Sequence, residues 1–281
     1  MYTYGAIKCL TQEQSRLVVD QIDSLSQYWI PRGTHAQQDI NFHTLGVTSY
    51  IDASRNYADY MDGCRYFNPL LLDKFDWMYT ILVQKITEHF GPTEIFDVLS
   101  VPGYHIFGKR RNEQFNIKSF ECSDAYPCTS LHVDYPQYEH GIWKLLFKDI
   151  DWENPLTCTL ALELPHNGGG LYTWSNPNIT RIDINNYINN RTCMLDPNDK
   201  VHRLTEPAGT CTGEDQLLLR QLRRDGHYTP MFRPYTVGDI EYSFGFPVHQ
   251  ICEGYNIKDT DRRITLQVHG LKCDGKWRLF F

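Results

Sequence analysis

The spacing of apolar residues predicts a helix near the start of the chain. Thr11 and Gln14 have the spacing of a capping box, in which two side chains satisfy free backbone N–H groups at a helix start. Leu17, Val18 and Ile22 follow at the intervals that place side chains on one helical face. We therefore expect an amphipathic helix that begins just after Thr11.

A second helix is expected from about Pro69 to Phe90, because its helical pattern stops at a Gly-Pro pair. Residues 30–68 are polar and aromatic without helical spacing, which favours loop and strand. Residues 1–92 are therefore expected to form a helical N-terminal support.

From about residue 95 the pattern changes to short strands bounded by Gly, Pro or charged residues. The segments are FDVLSVPGYHIF, SLHVDY, TCTLALEL, GLYTW, DIEYSF and RRITLQVHG. Most of them have no helix of crossover length between them, which favours an antiparallel barrel or jelly roll. An insertion at about 176–232 contains a helical piece, GEDQLLLRQLRRD. Without repeats or linkers, residues 1–281 are expected to form one domain with its β core at 93–281.

Composition limits the partners and the compartment. The net charge of −7 gives no positive field for nucleic acid or an anionic membrane. No apolar run approaches the ~18 residues of a spanning helix. Nine cysteines without a CxxC pair favour reduced thiols, and the start lacks a secretory profile. We expect a cytoplasmic protein with a small-molecule substrate and no nucleic-acid or membrane partner.

A candidate metal site begins with His132 and Asp134. Residues two apart on a strand point to the same face, so this pair could offer an imidazole and a carboxylate to one metal. Two histidines and one carboxylate form the ligand set of mononuclear non-haem iron(II) sites with open positions. The pair alone is a weak signal, because a His near an Asp is more often simply hydrogen-bonded.

The third ligand must come from a distant segment. His249 is the preferred candidate, since it directly follows a turn, the aromatic strand at 239–244 and a further turn. His202 is the strongest rival. The other downstream histidines are His140, His166, His227 and His269.

An organic acid could be held beside this site by Arg263 and Thr265. Alternation along the strand places them on one face with Gln267 and His269, while the intervening residues are apolar. A guanidinium matches a carboxylate bidentately, and a hydroxyl two residues on can add a further bond. Arg262, on the opposite face of a regular strand, is the alternative anchor. A solvent-facing strand is the alternative interpretation.

Over about residues 98–270 these features resemble the iron(II)- and 2-oxoglutarate-dependent dioxygenases, in their prolyl-hydroxylase-like branch. The resemblance rests on His132-Val-Asp134, Gly168-Gly169-Gly170-Leu171, the segment from Gly238 to His249, and Arg263-Ile-Thr265. It implies a mostly β (α+β) fold: a double-stranded β-helix, or jelly-roll barrel, packed against N-terminal helices.

The resemblance also implies a cofactor set and residue roles. His132, Asp134 and His249 would bind Fe(II), and Arg263 with Thr265 would bind the distal carboxylate of 2-oxoglutarate. O2 is the other cosubstrate, with ascorbate as a reductant. Tyr104, on the strand before the metal pair, is expected to reach 2-oxoglutarate. The family often has Gly-Gly-Glu-Leu where this chain has Gly-Gly-Gly-Leu, and the gap before Arg263 is slightly long.

The expected activity is hydroxylation, desaturation or cyclisation at an unactivated C–H bond of a small molecule, such as an amino acid or natural-product intermediate. The alternatives are a hydroxylase of protein or peptide residues, a cupin-like hydrolase or binding protein that does not use 2-oxoglutarate, and a metal-free barrel. Lys109-Arg110-Arg111 is either a grip for an acidic substrate or a solvated loop. Nearby aromatics either line a pocket or belong to the core: Tyr135, Tyr138, Trp143, Tyr172 and Trp174.

The insertion is either a lid or an oligomer contact.

Overall fold

The structure is a computed structural model that describes residues 4–32, 42–108, 134, 141–174, 230–251 and 260–281. Its helices are α1 (Gln12–Ser24), α2 (Asp52–Arg55), α3 (Tyr57–Phe90) and α4 (Ile142–Leu146), with a 3-10 turn at Ser26–Tyr28. Among the described residues, no helix combines the length and apolarity that crossing a membrane requires.

The strands form two sheets and pair mainly antiparallel. In chain order they are β1 (Tyr4–Lys8), β2 (Ile30–Pro31), β3 (Phe42–Leu45), β4 (Thr93–Ile95), β5 (Gly103–Phe107), β6 (Ile150–Glu163), β7 (Leu171–Trp174), β8 (Pro230–Arg233), β9 (Asp239–Phe244), β10 (Val248–Ile251), β11 (Arg263–Cys273) and β12 (Lys276–Phe280). The large sheet has the order β1-β9-β6-β11-β5-β3-β2, with β12 also on β11 and a parallel β4 on β12. The small sheet has the order β10-β7-β8. A mostly antiparallel fold with few helices is as expected.

The start of α1 confirms the predicted capping box. The Gln14 backbone N–H donates to the Thr11 hydroxyl at 3.1 Å, and the Thr11 N–H donates to the Gln14 side chain at 2.8 Å. Val18 and Ile22 are fully buried against the large sheet.

The second helix differs from the prediction at its start. It begins at Tyr57 rather than near Pro69, because the Asn56 side chain accepts hydrogen bonds from two backbone N–H groups of the first turn. Pro69 lies inside the helix, where it removes one backbone hydrogen bond. The helix is kinked at Phe75, whose φ of −124° and ψ of 21° are not helical. Residues 57–68 are therefore helix and not loop, whereas the expected strand in this region is present as β3.

The N-terminal segment, expected to be mostly helical with loop and strand at 30–68, also contributes strands to the large sheet. β1 pairs with β9, and β3 pairs with β5. Both are short strands whose role is set by distant partners.

The large sheet has one apolar and one polar face, and α1 and α3 cover the apolar face. Ile264, Leu266 and Val268 of β11 are fully buried there, in the same cluster as Ile22 of α1 and Phe75 of α3. Because alternate side chains point to opposite faces, the polar residues of β11 point away from the helices.

Five of the six expected strands are present in whole or in part, as β5, β6, β7, β9 and β11. The segment 130–135 lies outside the described residues except for Asp134, and so does most of the expected insertion. Residues 230–232, placed in that insertion, instead belong to β8 and pair with β7.

Candidate metal centre

The polar face of the large sheet is buried. On β11, Arg263, Thr265 and His269 are 2%, 0% and 1% exposed. On the neighbouring β6, Thr157 lies directly opposite His269 and Thr159 opposite Gln267. Ile251 and Leu171 of the small sheet pack against Phe107 on this face, so a polar space lies between the two sheets.

Asp134 and His249 meet in this space. Their nearest atoms, Asp134 Oδ1 and His249 Nε2, are 3.6 Å apart, and both residues are buried. The Thr157 hydroxyl donates to Asp134 Oδ2 at 3.0 Å. His249 Nδ1 lies 3.0 Å from the Pro247 carbonyl oxygen.

The partner of Nδ1 determines what His249 presents to Asp134. A carbonyl oxygen can only accept, so Nδ1 carries a hydrogen, and Nε2 is the ring nitrogen that can bind a metal. Asp134 Oδ1 faces this nitrogen, so one cation could be bound by both atoms. Bonds of about 2.1 Å to one metal place two donor atoms roughly 3.0–3.4 Å apart, close to the separation seen here. A ligating histidine commonly donates its other N–H to a carbonyl, so both residues suit a divalent metal.

The third ligand is not established by the structure. His132 lies outside the described residues, as do the rivals His140, His202 and His227. Within the described part of the chain, no three His, Cys, Asp or Glu side chains come together as a metal site. His132 thus remains an expectation.

His269 is the rival histidine that shares the space. It lies on β11 opposite Thr157, close enough to Asp134 and His249 for both to affect its pKa. Burial lowers the pKa of His269 to about 4, although Asp134 opposes this. The ring is therefore neutral near pH 7.

Arg263 is held rigidly in the same space. Its Nε donates to the Gly169 carbonyl at 3.0 Å, and its Nη1 donates to the Thr265 hydroxyl at 3.3 Å. The rings of Phe107 and Tyr235 lie 5.7 and 5.5 Å from the guanidinium carbon. The glycine segment therefore supplies a backbone acceptor that orients this arginine toward the polar space.

Arg262 points the other way. It forms ion pairs with Asp23 of α1 and Glu163 of β6, each at 2.7 Å. These contacts lie on the helix-covered face, so Arg262 is a structural link and Arg263 is the arginine inside the polar space.

Tyr104 does not lie where the sequence prediction placed it. It pairs with Leu266 on the apolar face, fully buried, with its ring centroid 4.7 Å from that of Phe75. A phenol on this face cannot reach a ligand on the other face. Its neighbour His105, opposite Thr265, faces the polar space instead and contacts the hydroxyl of Tyr50.

His105 is one of the site residues that the sequence prediction missed. Its pKa is lowered well below the ordinary value, mainly by burial and then by Arg263. Side chains alternate between the two faces of β5, whose sequence is GYHIF. Because both faces are apolar, the sequence does not show which face His105 occupies.

Two aromatics considered as pocket residues lie elsewhere. Trp143 is fully buried in a second core cluster, stacked on Phe96 at 4.8 Å. Tyr172 alternates with Thr173, which faces His249, and packs against Phe232 at 5.7 Å on the other face of the small sheet. His166 is exposed, and its backbone N–H donates to Asp261.

Comparison with known proteins gives a fold-level match. No protein-family model matches the sequence, and no curated protein sequence matches it. Among solved structures, an N-substituted L-amino acid dioxygenase in complex with alpha-KG, from Burkholderia ambifaria AMMD, matches with a TM-score of 0.50 and 11% identity, covering 98% of this chain and 85% of that chain.

Two further solved structures are more distant. The alpha ketoglutarate dependent carbocyclase SnoK from nogalamycin biosynthesis has a TM-score of 0.41 and 11% identity, covering 99% of this chain and 92% of that chain. A Pseudomonas putida prolyl-4-hydroxylase has a TM-score of 0.34 and 9% identity, covering 95% and 89%. At 11% identity, the likeness to the first enzyme is one of fold. The expected resemblance is confirmed at the level of the fold: this chain has the fold of the iron- and 2-oxoglutarate-dependent dioxygenases.

Proposed function

We propose that the protein is an Fe(II)- and 2-oxoglutarate-dependent oxygenase that hydroxylates an unactivated C–H bond of a small organic molecule. One observation carries the proposal. The Asp134 carboxylate lies 3.6 Å from His249 Nε2, in a buried region that also contains Arg263 and Thr265.

Asp134 and His249, with His132 from the family resemblance, would hold the iron. Bound iron, together with 2-oxoglutarate and O2, supplies the oxidising power for C–H cleavage. The chain's own part is placement. Thr157 fixes one oxygen of Asp134, and the Pro247 carbonyl fixes the ring of His249.

Arg263 and Thr265 would hold the distal carboxylate of 2-oxoglutarate. The guanidinium is pre-oriented by the Gly169 carbonyl and is almost fully enclosed, so little side-chain freedom is lost on binding. In this low-dielectric surrounding a charge-assisted bond is stronger than in water. A hydrolase or binding protein would not need this buried pair, which disfavours the cupin-like alternative.

Burial of the site supports a small substrate. Asp134, His249 and Arg263 are 4%, 9% and 2% exposed, so a reacting group must reach side chains that have little contact with solvent. The same chemistry would serve desaturation or ring closure.

Anaerobic titration of the Fe(II)-loaded protein with 2-oxoglutarate tests the proposal. We expect a weak visible charge-transfer band, lost in His249→Ala and formed only with excess oxoacid in Arg263→Gln. Arg262→Gln is the matched control and should titrate like the wild type. Bound iron with no band at any oxoacid concentration would reject 2-oxoglutarate chemistry.

A further inference from the structure

A second arginine faces the polar space from the small sheet. Arg233 ends β8, which is joined to β10 through β7. Thr173 of β7 lies directly opposite His249, and Arg233 Nε donates to the Thr173 hydroxyl at 3.2 Å. The Arg233 side chain therefore extends along the face of the small sheet that carries His249.

The guanidinium of Arg233 bridges to the large sheet by stacking. Its central carbon lies 3.7 Å from the centroid of the Tyr4 ring, on edge strand β1. Tyr4 pairs with Ser243, which in turn pairs with Thr157, the residue that bonds to Asp134. Arg233 thus spans the gap between the sheets on the side of the candidate metal ligands.

The charge of Arg233 is not neutralised by an ion pair within the described part of the chain. Arg262 and Arg32 each donate to carboxylates, whereas Arg233 donates through Nε to a hydroxyl. Burial raises the pKa of Tyr4 to about 12, so its phenol is neutral near pH 7. Burial raises the pKa of Glu241 and the charge of Arg233 opposes this, but among the described residues the two form no ion pair.

The two arginines of the space differ in depth. Arg263 is 2% exposed, whereas Arg233 is only partly buried. The more buried Arg263 suits the cosubstrate, which binds first in every turnover. The more accessible Arg233 suits the substrate, which enters afterwards. Opposed residues of an antiparallel pair have Cβ atoms about 5 Å apart, so Thr173 places the guanidinium near His249.

We propose that Arg233 binds a carboxylate of the substrate, so that the substrate is a small organic acid oxidised at a carbon within a few bonds of that carboxylate. Nη1 and Nη2 supply a bidentate face, and Tyr4 supplies a wall beside it. The assignment of a substrate rests on the proposed oxygenase function, whereas the anion site itself does not.

The test compares acids with their uncharged amides. The probes are 4-methylpentanoate, phenylacetate and N-acetyl-L-leucine, each against its primary amide, measured by calorimetry anaerobically with Fe(II) and saturating 2-oxoglutarate. Because charge-assisted hydrogen bonds are worth about 1.5–3 kcal/mol, we expect at least one acid to bind roughly 10- to 100-fold more tightly than its amide.

Arg233→Gln should remove this preference, and Arg233→Lys should restore part of it by returning the charge. Arg262→Gln, which changes an arginine on the opposite face of the sheet, should keep the full preference. The charge-transfer band with 2-oxoglutarate should be unchanged in all three variants, and the melting temperature of each reports whether it folds. A preference that survives Arg233→Gln, or no acid that binds better than its amide, would overturn the inference.

Titration of the acids and amides on metal-free protein, beside the charge-transfer titration of the Fe(II)-loaded protein, separates the two proposals. An Arg233-dependent preference on metal-free protein, with no charge-transfer band from the Fe(II)-loaded protein, would retain the anion site and remove the iron-dependent function. A normal band with no role for Arg233 would remove only the anion site.

Discussion

Substituting Thr157 by Val should weaken metal binding without removing a ligand. The Thr157 hydroxyl donates to Asp134 Oδ2 at 3.0 Å, and the two residues are 9% and 4% exposed. Valine has the same shape but no donor, so the Asp134 carboxylate loses the hydrogen bond from Thr157. Hydrogen bonds to charged groups contribute about 1.5–3 kcal/mol, and substitutions of residues that support metal ligands typically lower metal affinity about 10- to 100-fold.

Thr159→Val is the matched control. Thr159 lies two residues along the same strand, on the same face, and its hydroxyl donates to Gln267 at 3.0 Å instead of to Asp134. Each variant loses a hydrogen bond, so the free energy of unfolding of the metal-free protein should fall by about 1 kcal/mol in Thr159→Val and by about 1.5–3 kcal/mol in Thr157→Val, whose acceptor is a carboxylate. Competitive titration with Fe(II) or Mn(II) should show a loss of affinity only in Thr157→Val. Equal metal affinities in the two variants would refute the role given to Thr157.

Three further predictions test the site and its surroundings. His132→Ala should abolish Fe(II) binding measured by equilibrium dialysis, whereas His269→Ala should retain most of it; the reverse order would make His269 the ligand. For metal-free protein, His269 has a folded pKa of about 4 against about 6.5 unfolded, so the unfolded state binds the extra proton between these values. Stability should be unaffected above pH 6.5 and fall by on the order of 3 kcal/mol as pH drops toward 4, a slope that His269→Gln should reduce in urea titrations. Gly103→Ala should destabilise the protein by about 1–3 kcal/mol, because its Cβ would overlap the Phe281 ring and lie 2.9 Å from the Leu45 carbonyl; unchanged urea unfolding would contradict this packing.

Local signals in the sequence predicted local structure well. The capping box at Thr11 and the strand at Asp239–Phe244 depend on neighbouring residues, and both are present. The start of the long helix was misjudged because proline is typical of the first turn of a helix. Here the cap at Asn56 and burial in the core stabilise the helix on both sides of Pro69.

The site was predictable only where sequence patterns limit the possibilities. Alternation along β11 distinguished the faces of Arg262 and Arg263, and the structure places them on opposite faces accordingly. Tyr104 was assigned to the wrong face because its strand is buried on both sides. The pattern of polar and apolar residues therefore does not show which of its side chains point to which face of the sheet. Arg233 carries no motif, and its position depends on pairing between β7 and β8, which are far apart in the chain.

The division of the candidate ligands between two sheets has a dynamic consequence. Asp134 is tied to the large sheet through Thr157, while His249 belongs to a small sheet of three four-residue strands. Such short strands should open locally at lower free energy than the long strands β6 and β11. A metal bound by both residues would hold the small sheet against the large sheet, since a ligand that binds only this folded form stabilises it. Metal binding should therefore slow amide hydrogen exchange most in β7, β8 and β10. The small sheet would then be fully ordered only in the metal-bound protein.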